Sequence, residues 1–198
     1  MKGYPLLIGE HNDITAVDMN NDGVDEIIQR DGGSASKSYG CGIFKNLGEP
    51  IWWYDDLHKY NEKYGEHVKD LIWGDLDSDR DIEFYVACGR EGLVKLDSMG
   101  KKVWQHRHKR GQIPAQCIGV EKIDCSEGKP LLAVSFFATT AWPWSNNKLI
   151  QILDLDGNLV REFKPKGSGM IQGFKSLYWL SLIHISEPTR PLYISYAV

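Results

Sequence analysis

Two stretches decide the fold: AVDMNNDGVDEII (residues 16–28) and WGDLDSDRDIEFYV (residues 73–86). In each, acids or amides stand at alternate positions, and a short run rich in Ile, Val, Phe and Tyr follows. A third, looser copy is KIDCSEGKPLLAV (residues 122–134). The first aspartates are Asp18, Asp75 and Asp124, so successive copies are 57 and 49 residues apart (75 − 18 and 124 − 75). Self-similarity at a period of about 50 residues signals a repeat architecture.

A second landmark follows each acidic turn in the same order. It reads FKNLGEPIWW from Phe44, LDSMGKKVWQ from Leu96 and LDLDGNLVREF from Leu153. Gly48, Gly100 and Gly157 align, and Trp52 and Trp104 align four residues later. An Asp or Asn ahead of a glycine, with apolar residues on both sides, predicts a hairpin, because glycine accepts the positive φ of tight turns. The short β-branched and aromatic runs predict strands over 26–29, 83–87 and 131–137. No long segment carries the three-and-four spacing of an amphipathic helix. The best helical candidate, 55–68, is polar, contains Gly65 and reads as a connecting loop.

The expected fold is therefore all-β: a β-propeller of four-stranded antiparallel blades, incomplete, with about three blades present. One such sheet cannot cover both of its faces alone, and neighbours cover one another. The repeat limits are placed at 1–57, 58–110 and 111–179, the last truncated. Residues 180–198 are set apart: LSLIHISEPTR (180–190) and ISYAV (194–198) resemble the translation of a transposase sequencing adapter, in adapter order. They are expected to be non-native and are excluded from the fold. On that reading the natural chain continues past Trp179.

The acidic turns predict metal loops. The first would use Asp18, Asn20, Asp22, the Val24 carbonyl and Glu26; the second Asp75, Asp77, Asp79, the Asp81 carbonyl and Glu83. Carboxylates this close repel one another unless a cation lies between them. Calcium, which takes six to eight oxygens and tolerates loop geometry, fits best. An EF-hand would need Glu at loop position twelve and flanking helices. Position twelve is Gln29 in one loop and Val86 in the other, and strands follow. Arg80 stands where the first loop has Gly23, and the third turn departs from the pattern at Cys125, Glu127, Gly128 and Leu132.

The pattern D-x-[DN]-x-D-G-x-x-[DE] followed by an apolar strand resembles the FG-GAP or VCBS repeats of integrin-α-like β-propellers, over residues 14–174. That resemblance implies a structural calcium ion pinning the loop between two strands. It also implies a secreted, periplasmic or cell-surface setting.

No G-x-S-x-G, P-loop, H-E-x-x-H or dinucleotide fingerprint occurs. The expected function is a non-catalytic, calcium-stabilised module that binds a protein or glycan partner. Trp142, Trp144 and Asn146 are the candidate ligand contacts, since indole rings stack on sugar C–H faces. The alternative is the propeller domain of a secreted polysaccharide lyase of the rhamnogalacturonan type. A quinone-dependent dehydrogenase propeller fits the acidic turns poorly.

Bulk properties agree with a globular chain: 198 residues, 42% hydrophobic, 25% charged, net charge −4. That balance speaks against a nucleic-acid partner. The basic run 106–110 reads as a solvated loop, and no apolar run reaches a membrane span's length of about 20 residues. Met1 to Gly9 is too short in apolar residues for a signal peptide. Cys41, Cys88, Cys117 and Cys125 contain no CxxC pair, which leaves buried thiols or one disulfide, of undetermined pairing, rather than zinc.

Overall fold

The computed structural model describes residues 13–20, 22–31, 40–55, 68–110, 113–125, 128–137 and 148–164. Among them there is no helix. Three four-stranded antiparallel sheets follow one another along the chain, each a simple meander. The first contains β1 (Asp13–Val17), β2 (Glu26–Asp31), β3 (Gly40–Phe44) and β4 (Pro50–Tyr54). The second contains β5 (Asp70–Gly74), β6 (Glu83–Ala87), β7 (Leu93–Leu96) and β8 (Lys102–His106). A short ribbon of β9 (Lys109–Arg110) and β10 (Ile113–Pro114) leads to the third sheet. That sheet contains β11 (Gln116–Ile123), β12 (Leu131–Phe137), β13 (Lys148–Leu153) and β14 (Leu159–Phe163).

The last hairpin of every sheet is built alike. The carbonyls of Lys45, Asp97 and Asp154 each accept from the amide of the glycine three residues on, and their amides donate to the carbonyl of the residue just after that glycine. Gly48, Gly100 and Gly157 sit at φ of 81°, 74° and 83°, where a side chain would be strained. A register shift follows at the same place in each fourth strand. This is a three-to-five-residue hairpin closed by a bulge, which re-aims the fourth strand.

The sheets share two cores. Ile28, Cys41, Ile43 and Tyr54 of the first pack with Phe84, Val86, Val94 and Leu96 of the second. Tyr85, Ala87 and Leu93, on the second sheet's other face, pack with Val120, Leu132, Val134 and Phe136 of the third. The middle sheet is covered on both faces, so β6 is buried throughout and apolar after Glu83. The flanking edges differ: Ile14 of β1 and all of β14 are exposed. The described residues form a row of three sheets, not a closed ring.

One contact recurs between successive sheets. The Trp52 indole donates to the Ser98 carbonyl at 3.0 Å and lies over the Gly100 turn. The Trp104 indole donates to the Leu155 carbonyl at 3.0 Å and lies over the Gly157 turn. The aligned Gly and Trp are thus two halves of a lock between successive sheets.

The basic run is not a solvated loop. His106 Nε2 meets Gln151 Oε1 at 2.8 Å, His108 Nδ1 meets Gln151 Nε2 at 3.1 Å, and both rings face Phe136. Arg107 is paired with the buried Glu91 carboxylate. The run ties the second sheet to the third because the chain crosses between them here. All four cysteines are free thiols. Residues 180–198 and most of the 55–68 segment lie outside the described residues.

Candidate metal loops

The first acidic loop joins β1 to β2 and the second joins β5 to β6. Val17 opposes Glu26, and Gly74 opposes Glu83, so eight residues lie between the paired positions in each case. The two loops share a hydrogen-bond pattern. Asp18 Oδ1 accepts from the Asp22 amide at 3.0 Å and Oδ2 from the Gly23 amide at 2.8 Å. Asp75 Oδ1 accepts from the Asp79 amide at 3.0 Å and Oδ2 from the Arg80 amide at 3.1 Å. Asn20 and Asp77 each accept from the same amides, of Asp22 and Asp79. Asp22 and Asp79 accept from the amides of Val24 and Asp81, both at 2.8 Å. Arg80 takes φ +79°, close to the +85° of Gly23, so the second loop keeps the shape despite its side chain.

The glutamates close both loops from the first position of the next strand. Glu26 Oε2 accepts from the Met19 amide at 2.9 Å, and Glu83 Oε2 from the Leu76 amide at 3.2 Å. Both carboxylates are buried. Burial pushes the Glu83 carboxyl above its ordinary range, while the Leu76 amide and the Lys95 ammonium pull it back. The same burial, reinforced by the charges of Glu83 and Asp77, pushes the Tyr85 hydroxyl up.

Ligand atoms of Asp75, Asp77 and Glu83 lie within 4.8 Å of one another, a group that could hold a metal ion. Asp75 is exposed, Asp77 half-buried and Glu83 buried, so the cluster opens to solvent on one side. Val24 and Asp81 are exposed positions of the loop backbone.

The third turn is one residue shorter. Ile123 opposes Leu131, leaving seven residues between them, and Leu131 therefore takes the place of Glu26 and Glu83. Asp124 is paired with Lys122 at 2.9 Å. Trp142, Trp144 and Asn146 lie outside the described residues. Lys95 was not among the residues singled out by pattern; its Nζ is 3.3 Å from Glu83 Oε1 and 4.0 Å from Asp77 Oδ2. The available signal was the repeat itself, which has Ile43 and Ile152 where the second sheet has Lys95.

No protein-family model matches the chain, and no curated protein matches it. Among solved structures, the crystal structure of the V. cholerae biofilm matrix protein Bap1 is similar to it, at 18% identity and a TM-score of 0.38. The match covers 77% of this chain and 28% of that one. Among the described residues no helix is long and apolar enough to cross a membrane.

Proposed function

We propose that this chain is part of a calcium-stabilised β-propeller of the FG-GAP type, a non-catalytic module that presents loops to a protein or glycan partner outside the cytoplasm. The supporting observation is the repeated loop. At the same corner of two successive sheets, the same carboxylate and amide positions turn the chain in the same way and end on a buried glutamate. A divalent ion there would offset the mutual repulsion of the acids and pin two strands at once. The propeller reading draws on the stacked sheets and on the Trp-to-turn lock between neighbours, which a further sheet of the same kind could continue.

An extracellular, periplasmic or surface setting suits such loops, because exposed calcium sites of modest affinity fill where calcium is abundant. Cys41, Cys88 and Cys117 are buried, and burial raises their thiols, that of Cys41 to about 12. They would stay unreactive in an oxidising compartment.

Calcium titration by calorimetry on the full chain tests this reading, together with melts in calcium and in chelator. Binding that raises the melting temperature is expected, since a ligand bound only by the native state stabilises it. Asp22→Ala should remove the first-loop event. No heat and no change in melting would remove calcium from the account.

A further inference from the structure

Lys95 stands where the repeat otherwise keeps an apolar residue. Across the second sheet, Tyr85, Lys95 and Trp104 form one cross-strand file. The matching file of the first sheet is Ile28, Ile43 and Trp52. The Lys95 side chain is 12% exposed, and its Nζ lies 5.5 Å from the centre of the Tyr85 ring. An ammonium is withdrawn from water this far only when charges of opposite sign compensate it. Those charges belong to the second acidic loop.

The two loops differ at one ligand position in a way that matches. The first has Asn20, whose Nδ2 donates to Glu26 Oε1 at 3.3 Å. The second has Asp77, which cannot donate, and Glu83 Oε1 instead receives Lys95 Nζ, also at 3.3 Å. An extra carboxylate and a lysine arrive together. Lys95 takes over the donor role of the missing amide and offsets the added charge.

We propose that Lys95 is a built-in counter-cation of the second loop, so that the two loops differ in their need for calcium. The first takes its cation from solution; the second carries one in the chain. The claim about the first loop rests on the calcium reading above, whereas the claim about Lys95 stands on its own contacts. A calcium ion entering the second loop meets an ammonium already seated on two of its ligands, Glu83 and Asp77. It must displace that group or bind against it, which weakens the site on the order of tenfold or more.

The test compares the full chain with Lys95→Met, by melts in chelator and in calcium. Calorimetry in an Asp22→Ala background, where the first loop is silent, then reads the second loop alone. Expected are a lower melting temperature for Lys95→Met in chelator, recovery in calcium, and second-loop affinity raised about tenfold or more. Lys95→Met/Asp77→Asn, which recreates the first loop's set, should melt near the parent in chelator. If Lys95→Met is weakened in chelator, the double variant recovers and no variant takes up calcium, the counter-cation stands and the calcium reading falls. Lys95→Met that melts like the parent in chelator and gains no affinity would overturn the proposal. So would a double variant as weak as the single one, since the loss would then be one of packing.

Discussion

Replacing Gly100 by Ala tests the lock between sheets. A Cβ at Gly100 would lie 2.5 Å from Trp52 Cδ2 and 2.6 Å from Cε3, well inside contact distance. The residue also sits at φ +74°, which costs a side chain about 1–2 kcal/mol. Trp52 must then leave the turn. It would lose its hydrogen bond to Ser98 and its edge-on contact with Phe84, whose ring centre is 5.1 Å away. Together these are worth about 2 kcal/mol. Gly100→Ala should therefore destabilise by about 3.5 kcal/mol, and Trp52→Ala, half-buried, by about 2.5 kcal/mol. In the double variant the methyl meets no indole, and only the backbone cost adds to the loss of Trp52. The expected total is about 4 kcal/mol instead of 6, a coupling of about 2 kcal/mol. Urea unfolding of the four proteins in one buffer measures it. Gly23→Ala, at φ +85° with nothing within 4 Å of its Cβ, controls for the backbone cost alone. Additivity within about 0.5 kcal/mol would refute the lock.

Three further outcomes follow from the turns and the core. Arg80 holds φ +79°, so Arg80→Gly should stabilise by about 0.5–1 kcal/mol, the relief of backbone strain exceeding glycine's added entropy; a lower melting temperature would contradict it. At Asp154, slight burial opposes ionisation, but the Asn158 side chain and the amides of Asn158, Asp156 and Gly157 outweigh it and hold the carboxyl below its ordinary 3.8. Its ionised form stabilises the fold above that pH and the contribution is lost as pH falls through the depressed value, so Asp154→Ala should be weaker than the parent at neutral pH and converge with it in acid melts. In a thiol-reagent assay at mildly alkaline pH, Cys125 should react in the native protein while Cys41, Cys88 and Cys117 wait for unfolding; fast reaction of a buried thiol would show that the shared cores open readily.

Much of this architecture was legible in the repeats. The apolar runs after the acidic turns became β2, β6 and β12, and the aligned glycines became three hairpins of one design. Local chemistry decides these features: a glycine at positive φ, an aspartate turning the chain on its own side chain. Partners distant in sequence were harder to see. The alignment of Gly100 with Gly157 and of Trp52 with Trp104 was plain, but that each tryptophan seats on the next unit's glycine depends on how sheets stack. Nothing in the local pattern marks Lys95 as a partner of the acidic loop; its meeting with Glu83, 12 positions away, depends on register. The basic run misled for the same reason, since His106 and His108 find Gln151 more than 40 residues on. The third turn lost one residue, and only the pairing of Ile123 with Leu131 shows which residue replaced the glutamate.

Whether the first loop holds calcium is tested most sharply by a crystal structure grown in calcium, with anomalous scattering recorded at that loop. The expected result is an anomalous peak held by the side-chain oxygens of Asp18, Asn20, Asp22 and Glu26 and by the Val24 carbonyl, at calcium–oxygen distances of about 2.3–2.6 Å. A first loop that keeps only its backbone hydrogen bonds at saturating calcium, with no peak, would contradict it. The acidic turns would then be hydrogen-bonded corners of the repeat and nothing more.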